Sequence, residues 1–325
     1  MQDKLIIAIP SKGRLEEKAA ALFDKAGMGL KRDAARGYTG HIANMEAVEI
    51  TYLSASEIAT RLRDGSVHIG ITGEDLLREE VSDMDSTILL LKPLGFGHAN
   101  VVVAIPDGWR DVTHMSDLAE VAGDFRSRHG QRLRVATKYF QLTQDFFALH
   151  GITDYTIVRS FGATEGAPAS GAAEIIVDIT STGATLTANQ LRIPDDGVIL
   201  RSEANLTASL TADWSASARA AIRKILHRLE ARSDADKMVE LTFETNSADE
   251  IWLAELCKEF GATAIGNIDT LTNGSLCVVL NKSAMAPFCE ALHQKGKAIV
   301  TARDASHIFS ARNEIFDRLL SRLPA

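Results

Sequence analysis

Cysteine is scarce in this chain: there are three in 325 residues, Cys257, Cys277 and Cys289, all in the last third. No CxxC pair and no Cys/His spacing suited to a zinc ligand set occurs, which argues against a structural zinc site. An odd, sparse count fits a reducing compartment rather than a disulfide framework. Positive charge is not in excess either. Thirty-five Lys and Arg face 43 Asp and Glu, a net charge of −8. That balance excludes a general binder of nucleic acid or of an anionic membrane, and still allows a local basic pocket for an anionic ligand. No apolar run approaches the length of a membrane span. The opening "MQDKLIIAIPSKGRL" meets lysine and arginine too soon for a secretory leader, so a cytoplasmic protein is expected. Low-complexity tracts and tandem repeats are absent.

What the chain does have is alternation. Hydrophobic residues make up 46% and charged residues 24%, an ordinary soluble composition, and the length allows two or three domains. "KLIIAIP", "AVEITYLSA", "VHIGITG", "STILLLKPL" and "ANVVVAIP" read as strands. Between them, "LEEKAAALFDKAG" and "ASEIATRLRDG" carry apolar residues at helical spacing. A second set follows. "LRVATK", "YTIVRS", "AAEIIVDI" and "VILRSEANLTAS" read as strands, and "QLTQDFFALHG", "ATLTANQLR" and "SASARAAIRKILHRLEAR" as helices. This is the pattern of α/β architecture with a largely parallel sheet. The charged "RSDADK" reads as a linker. Beyond it, "KMVELTFET", "SADEIWLAELCKEFG", the hairpin "TAIGNIDTLTNGSLCVVLN" with an "NG" turn, "AMAPFCEALHQKG" and "KAIVTA" give βαββαβ, a ferredoxin-like module. "SARNEIFDRLLSRL" is a closing amphipathic helix.

Three glycine-bearing stretches leave a strand and enter a helix. In "DITSTGATL", Asp178 is followed by Ser181, Thr182, Gly183, Ala184 and Thr185. Amides and hydroxyls at such a turn suit a phosphate, while Asp178 suits neutral sugar hydroxyls. Together they fit a phosphorylated sugar. A serine or threonine there also serves as a plain helix N-cap. In "PSKGRL", Lys12 and Arg14 flank Gly13 and suit a polyanion such as a triphosphate or pyrophosphate; alone they are also an ordinary solvated pair. In "GITGEDLL", Gly73, Glu74 and Asp75 suit a base, or magnesium through water, or simply a helix start favoured by the dipole.

These pieces occur in the order of a known family. "EGAPASGAAEIIVDITSTGATL", Glu165 to Leu186, is similar throughout to the signature of the ATP phosphoribosyltransferases of histidine biosynthesis. "AIPSKGRL", "HIGITGED", "LGFG" and "RVATKY" resemble the family's other blocks. The resemblance implies two α/β lobes like a type II periplasmic binding protein, with the chain crossing between them twice. Lobe one would span 1–97 with 190–232, lobe two 98–189, and the C-terminal domain 233–325. It implies an Mg2+-dependent pentosyl transfer: adenine N1 of ATP displaces pyrophosphate from 5-phosphoribosyl 1-pyrophosphate with inversion. On that footing Ser181, Thr182, Gly183, Ala184 and Thr185 hold the 5′-phosphate. Asp178 holds the ribose and favours an oxocarbenium-like transition state. Glu165 faces the ribose or its metal. Arg14, with Lys12 and Gly13, meets the pyrophosphate or the ATP phosphates, and Gly73, Glu74 and Asp75 lie on the nucleotide side. Adenine N1 is already a nucleophile, so no strong general base is required.

The chain departs from the pattern in places. His98, Ala99 and Asn100 stand where many relatives carry cysteine-arginine. "SASEIA", Ser54 to Ala59, stands where many carry an arginine and "DIP". An arginine is therefore either missing from the nucleotide side or supplied elsewhere. Phe140 replaces a proline. The C-terminal module implies the long form of the family, a homo-oligomer inhibited by histidine; the competing role for that module is assembly alone. Two other functions compete for the whole chain: a two-lobed small-molecule binding protein without catalysis, and a phosphoribosyltransferase acting on another base.

Overall fold

In the computed structural model, residues 4–34, 37–160, 162–265 and 274–323 are described. The first sheet draws on β1 (Leu5–Pro10), β2 (Leu30–Arg32), β3 (Thr39–Ile42), β4 (Val48–Leu53), β5 (Ile69–Gly73) and β6 (Ile88–Pro93). Helices α1 (Gly13–Lys25), α2 (Ala55–Arg63), α3 (Glu74–Glu80) and α4 (Met84–Thr87) lie between these strands in sequence. The second sheet uses β7 (Ala99–Pro106), β8 (Leu133–Thr137), β9 (Tyr155–Arg159), β10 (Ile175–Thr180), β11 (Leu191–Arg192) and β12 (Val198–Ser202). With these come α5 (Met115–His129), α6 (Phe140–Leu149) and α7 (Ala184–Ala188). β13 (Ala204–Ser209) then returns to the first sheet, whose order is β2-β3-β4-β1-β5-β13-β6. The second sheet runs β11-β7-β10-β8-β9, with β12 also on β7.

Strand β1 is buried along its whole length, as expected of a central strand covered on both faces. It pairs in parallel with β4 and β5. Helix α2 lies close against β5. A Cβ on Gly70 would come within 2.6 Å of Ile58 and 2.8 Å of Leu62, so only glycine permits that approach. Ser54 caps the helix by accepting from the Glu57 amide at 3.3 Å.

The chain passes between the sheets twice, and the two passages are hydrogen-bonded to each other. The Leu94 amide donates to the Ala204 carbonyl at 3.0 Å, and the Ala204 amide to the Phe96 carbonyl at 2.9 Å. The Glu203 carboxylate accepts from the Gly95 amide at 2.7 Å. The return passage therefore falls at Glu203. The boundary expected at residue 190 is corrected, because β11 and β12 both pair with β7. "VILRSEANLTAS" is two strands on two sheets rather than one. The helix expected over 184–192 stops at Ala188, and Gln190 turns with φ 57° into β11. Helix α5 has no counterpart in the helices that the sequence pattern predicts.

Helix α8 (Ala216–Lys237) runs through the expected linker at 232–237. Ala231 and Ala235 are buried one turn apart, while Arg232 and Asp236 pair across the same turn. A charged run is compatible with helix when apolar residues at i and i+4 keep one face covered.

The chain divides into two compact units, one built mainly from Leu30–Ala221 and the other from Leu22–Gly29 with Ile222–Asp317. In the second, β14 (Met238–Thr245), α9 (Glu250–Phe260), β15 (Thr263–Ile265), β16 (Gly274–Asn281), α10 (Met285–Gln294) and β17 (Val300–Arg303) make a four-stranded sheet in the order β15-β16-β14-β17, all pairs antiparallel. Its core gathers Leu241, Leu253, Val278, Leu280, Phe288 and Leu292. The closing helix is α11 (Glu314–Arg322). The Asn273 half of the expected "NG" turn lies outside the described residues.

Candidate active site

The rim of the second sheet gathers most of the residues expected to act. β10 carries a buried Ile175–Val177, then half-buried Asp178 and exposed Ile179. The change from apolar to polar along one strand brings Asp178 to the edge of the sheet, where open α/β folds bind ligands. The Asp178 Oδ1 accepts from the Ile179 amide at 2.8 Å. The turn that follows is built around Gly183, with φ 77°, a backbone conformation that glycine adopts without strain. Ser181, Thr182, Ala184 and Thr185 are exposed on it, and Leu186 is buried and anchors it. Within the turn the Thr180 hydroxyl accepts from the Gly183 amide at 2.9 Å. The Ser181 hydroxyl donates to the His98 carbonyl at 3.0 Å, tying the loop to the passage before β7.

Glu165 lies on a short 3-10 turn, Thr164–Gly166, entered through Ala163 at φ 50°. Its carboxylate makes no ion pair among the described residues. The Ser160 and Thr164 hydroxyls, 2.9 Å apart, hold this turn. Among the described residues no three of His, Cys, Asp and Glu converge as a cage for a metal ion.

The "PSKGRL" turn follows β1. Gly13 has φ 75°, and Lys12 and Arg14 are exposed with no ion pair among the described residues. A third cation, which sequence reasoning missed, stands behind them. Arg32 donates through Nη2 to the Ser11 carbonyl at 3.0 Å and to Glu16 at 2.5 Å. Its guanidinium lies 3.8 Å from the centre of the Tyr52 ring. Its other contact, Nη1 to the Gly37 carbonyl at 3.4 Å, is local, but the partners that matter lie just after β1, on α1 and on β4, far away in sequence.

The third stretch is different. Asp75 is 6% exposed. It accepts from the Tyr139 hydroxyl at 2.7 Å and from the Ser202 hydroxyl at 2.8 Å, and the Asp75 amide donates to Ser202 at 3.0 Å. Burial first, and the Asp75 carboxylate second, push the Tyr139 phenol far above its ordinary range, so it stays a donor. Glu74 pairs with Arg78 at 2.7 Å. One turn further along α3, the Glu79 carboxylate accepts from the amides of Phe140, Gln141 and Leu142 at 2.6, 3.0 and 3.1 Å. It caps α6 from the other sheet, and burial raises its pKa. The expected ligand role of Asp75 is therefore corrected: both carboxylate oxygens already have partners, and the residue is closed to solvent. Gly73 ends β5, where an added Cβ would come within 2.3 Å of Asp75.

Several known proteins are similar to this chain. The family model described as ATP phosphoribosyltransferase (HisG) matches residues 54–231. The chain is 49% identical over 320 residues, 98% of both chains, to the ATP phosphoribosyltransferase of Bradyrhizobium sp. (strain ORS 278). It is 49% identical over 326 residues, spanning the whole of both chains, to that of Afipia carboxidovorans. Among solved structures, the ATP phosphoribosyl transferase (HisG:HisZ) complex from Thermotoga maritima is 26% identical with a TM-score of 0.54; the match covers 70% of this chain and 96% of that one.

Proposed function

The chain belongs to the ATP phosphoribosyltransferase family, and from that premise we propose how its rim residues divide the reaction. The protein transfers the phosphoribosyl group of 5-phosphoribosyl 1-pyrophosphate to N1 of ATP and releases pyrophosphate, the first step of histidine biosynthesis. The observation that carries the assignment of roles is the Gly183 turn beside Asp178, with its exposed hydroxyls and its helix start. The turn of Ser181, Thr182, Gly183, Ala184 and Thr185 takes the 5′-phosphate through amides and hydroxyls. Asp178 accepts from the ribose hydroxyls, and its charge opposes the positive charge that develops at C1 as the bond to pyrophosphate lengthens. Glu165 approaches the ribose from the neighbouring turn. Lys12 and Arg14 meet phosphate charge on the first lobe. Arg32 holds that turn from behind and brings a further guanidinium to the nucleotide side. Catalysis then rests on orientation and charge rather than on a base.

The two sheets form the two lobes of a type II periplasmic-binding-protein-like core, a reading supported by the double passage at Leu94–Phe96 and Ala204. The C-terminal unit is a ferredoxin-like domain, supported by its strand order. Mg2+ would be held by the substrate phosphates rather than by side chains, since no three acids, histidines or cysteines among the described residues form a cage, and it would supply positive charge beside the leaving group. The acids present suit that role better than a side-chain cage, since Asp75 is engaged elsewhere. The C-terminal unit senses histidine in a homo-oligomer. A groove of about 740 Å³ lined by Thr242, Glu244, Ser275, Lys297 and Thr301 supports this reading. Lys297 there is paired with buried Asp249.

The test is product formation from 5-phosphoribosyl 1-pyrophosphate with a panel of nucleotides and free bases. Transfer to ATP alone is expected. Transfer to a free base, or tight binding without turnover, overturns the reading. Histidine added to the full chain should lower turnover, and indifference to millimolar histidine would leave the C-terminal unit with assembly alone.

A further inference from the structure

The Gly183 turn and Asp178 account for two parts of 5-phosphoribosyl 1-pyrophosphate, the 5′-phosphate and the ribose hydroxyls. The third part, the diphosphate on C1, carries the most charge, and a carboxylate repels it. C1 neighbours the carbon bearing the 2-hydroxyl, so a diphosphate lies beside whatever holds that hydroxyl. A cation is needed next to Asp178 on the same lobe.

Strands β8 and β10 are parallel, with Thr137 level with Val177. Lys138 is the next residue after Thr137, and Asp178 the next after Val177. Lys138 thus lies one residue past the end of β8, directly after the last pair between two strands about 4.8 Å apart, and Asp178 lies one residue past that pair on β10. Val135, Tyr139 and Val177 belong to the core on one side of the sheet. Ala136 and Ile176 belong to the core on the other side, together with Leu186 of α7. Residues two apart in a strand share a face, so Asp178 follows Ile176 onto the side that carries the Gly183 turn, while Lys138 stands where the chain leaves β8 and turns into α6. The charge of Asp178 acts on the same Tyr139 phenol that Lys138 approaches. Lys138 is exposed, and its Nζ lies 5.0 Å from the centre of the Tyr139 ring. That ring is fixed by the bond from its hydroxyl to Asp75. Among the described residues Lys138 makes no ion pair, so its charge is available to a ligand.

We propose that Lys138 binds the C1 diphosphate of 5-phosphoribosyl 1-pyrophosphate and neutralises it as it leaves; this rests on the functional reading above. The C1–O bond breaks with its electron pair passing to the diphosphate oxygen. The lone pair of adenine N1 forms the new C1–N bond, which leaves a formal positive charge on the adenine. The ammonium of Lys138 meets the charge gained by the diphosphate. Leaving-group charge is thereby assigned to the second lobe, and Lys12 and Arg14 serve the ATP triphosphate.

The test uses the full chain with Lys138→Met and Lys138→Arg, both at an exposed position, with thermal midpoints checked against wild type. Lys138→Met should lower kcat on the order of 100-fold, the usual size for one lost electrostatic contact in a transition state. Inhibition by added inorganic diphosphate should weaken at least about 10-fold, a loss of about 1.4 kcal/mol. The KM for ATP should stay near the wild-type value, and Lys138→Arg should restore most of the loss. A purely structural lysine would not move diphosphate inhibition selectively. Wild type active and Lys138→Met unchanged in kcat and in diphosphate inhibition would overturn this proposal alone. A wild type that makes no product from the two substrates would overturn both this proposal and the reading it rests on.

Discussion

Asp75 and Asp178 look alike in the sequence: each follows an apolar run, with a glycine within five residues and a helix-like stretch close behind. In the folded chain Asp75 is buried and bonded on both oxygens, by Tyr139 and Ser202. Asp178 is half-buried, and among the described residues its carboxylate accepts only from the next amide. The partners of Asp75 arrive from 64 and 127 residues away. An acid after an apolar run is thus tied into the structure, like Asp75, or left open to solvent, like Asp178, according to what the rest of the chain brings to it. Around Asp75, α3 from the first lobe meets α6 and β12 from the second. Around Asp178, the sheet edge is left open.

That contrast can be tested from both sides. The largest effect is expected on the open side. Gly183→Val puts a β-branched residue at φ 77°, where the backbone must shift although the space around it is free. The KM for 5-phosphoribosyl 1-pyrophosphate should rise on the order of 100-fold, as small displacements of positioning groups cost that much. The KM for ATP should change far less, as steady-state kinetics with each substrate varied will show. On the closed side, Tyr139→Phe leaves a buried oxygen of Asp75 without its donor. A loss of about 1–3 kcal/mol in stability is expected from denaturant unfolding. Glu79→Gln removes the charge from the cap of α6 and should cost about 0.5–2 kcal/mol in the same assay.

The smallest effect concerns pH. His68 is buried, with Nδ1 accepting from the Ile6 amide at 3.1 Å and Nε2 donating to the Asp213 carbonyl at 2.9 Å. Burial lowers its pKa below 6.5, although the bond to Asp213 opposes this. In acid the unfolded chain therefore takes up a proton that the folded chain resists. Stability from this residue is complete above pH 6.5 and declines as pH falls from there through the folded pKa. Thermal midpoints between neutral pH and pH 5 should fall more steeply for wild type than for His68→Gln.

The local geometry of the candidate rim was legible in the sequence because it is contiguous. The strand, Asp178, the hydroxyls, Gly183 and the helix start are contiguous, and the structure keeps them so. What the sequence hid depends on distant partners. Asp75 looked available because nothing nearby announces Tyr139 or Ser202. Arg32 was invisible because most of its contacts, to Ser11, Glu16 and Tyr52, come from elsewhere in the chain. Lys138 carries no signal of its own in the sequence; it comes near Asp178 only because β8 and β10 pair side by side up to Thr137 and Val177. In the fold, α5 buries Met115, Leu118 and Ala122, too few apolar residues among too many charges to stand out. The split between β12 and β13 occurs at Glu203 without glycine or proline, fixed by bonds to Gly95 and Glu74.

The division between the two aspartates is tested most directly by Asp178→Asn and Asp75→Asn measured side by side for kcat and thermal midpoint. The account predicts that Asp178→Asn lowers kcat on the order of 100-fold or more with an unchanged midpoint, and that Asp75→Asn lowers the midpoint with kcat at permissive temperature much less affected. An Asp178→Asn enzyme with wild-type turnover, or an Asp75→Asn enzyme of full stability and lost turnover, would contradict it.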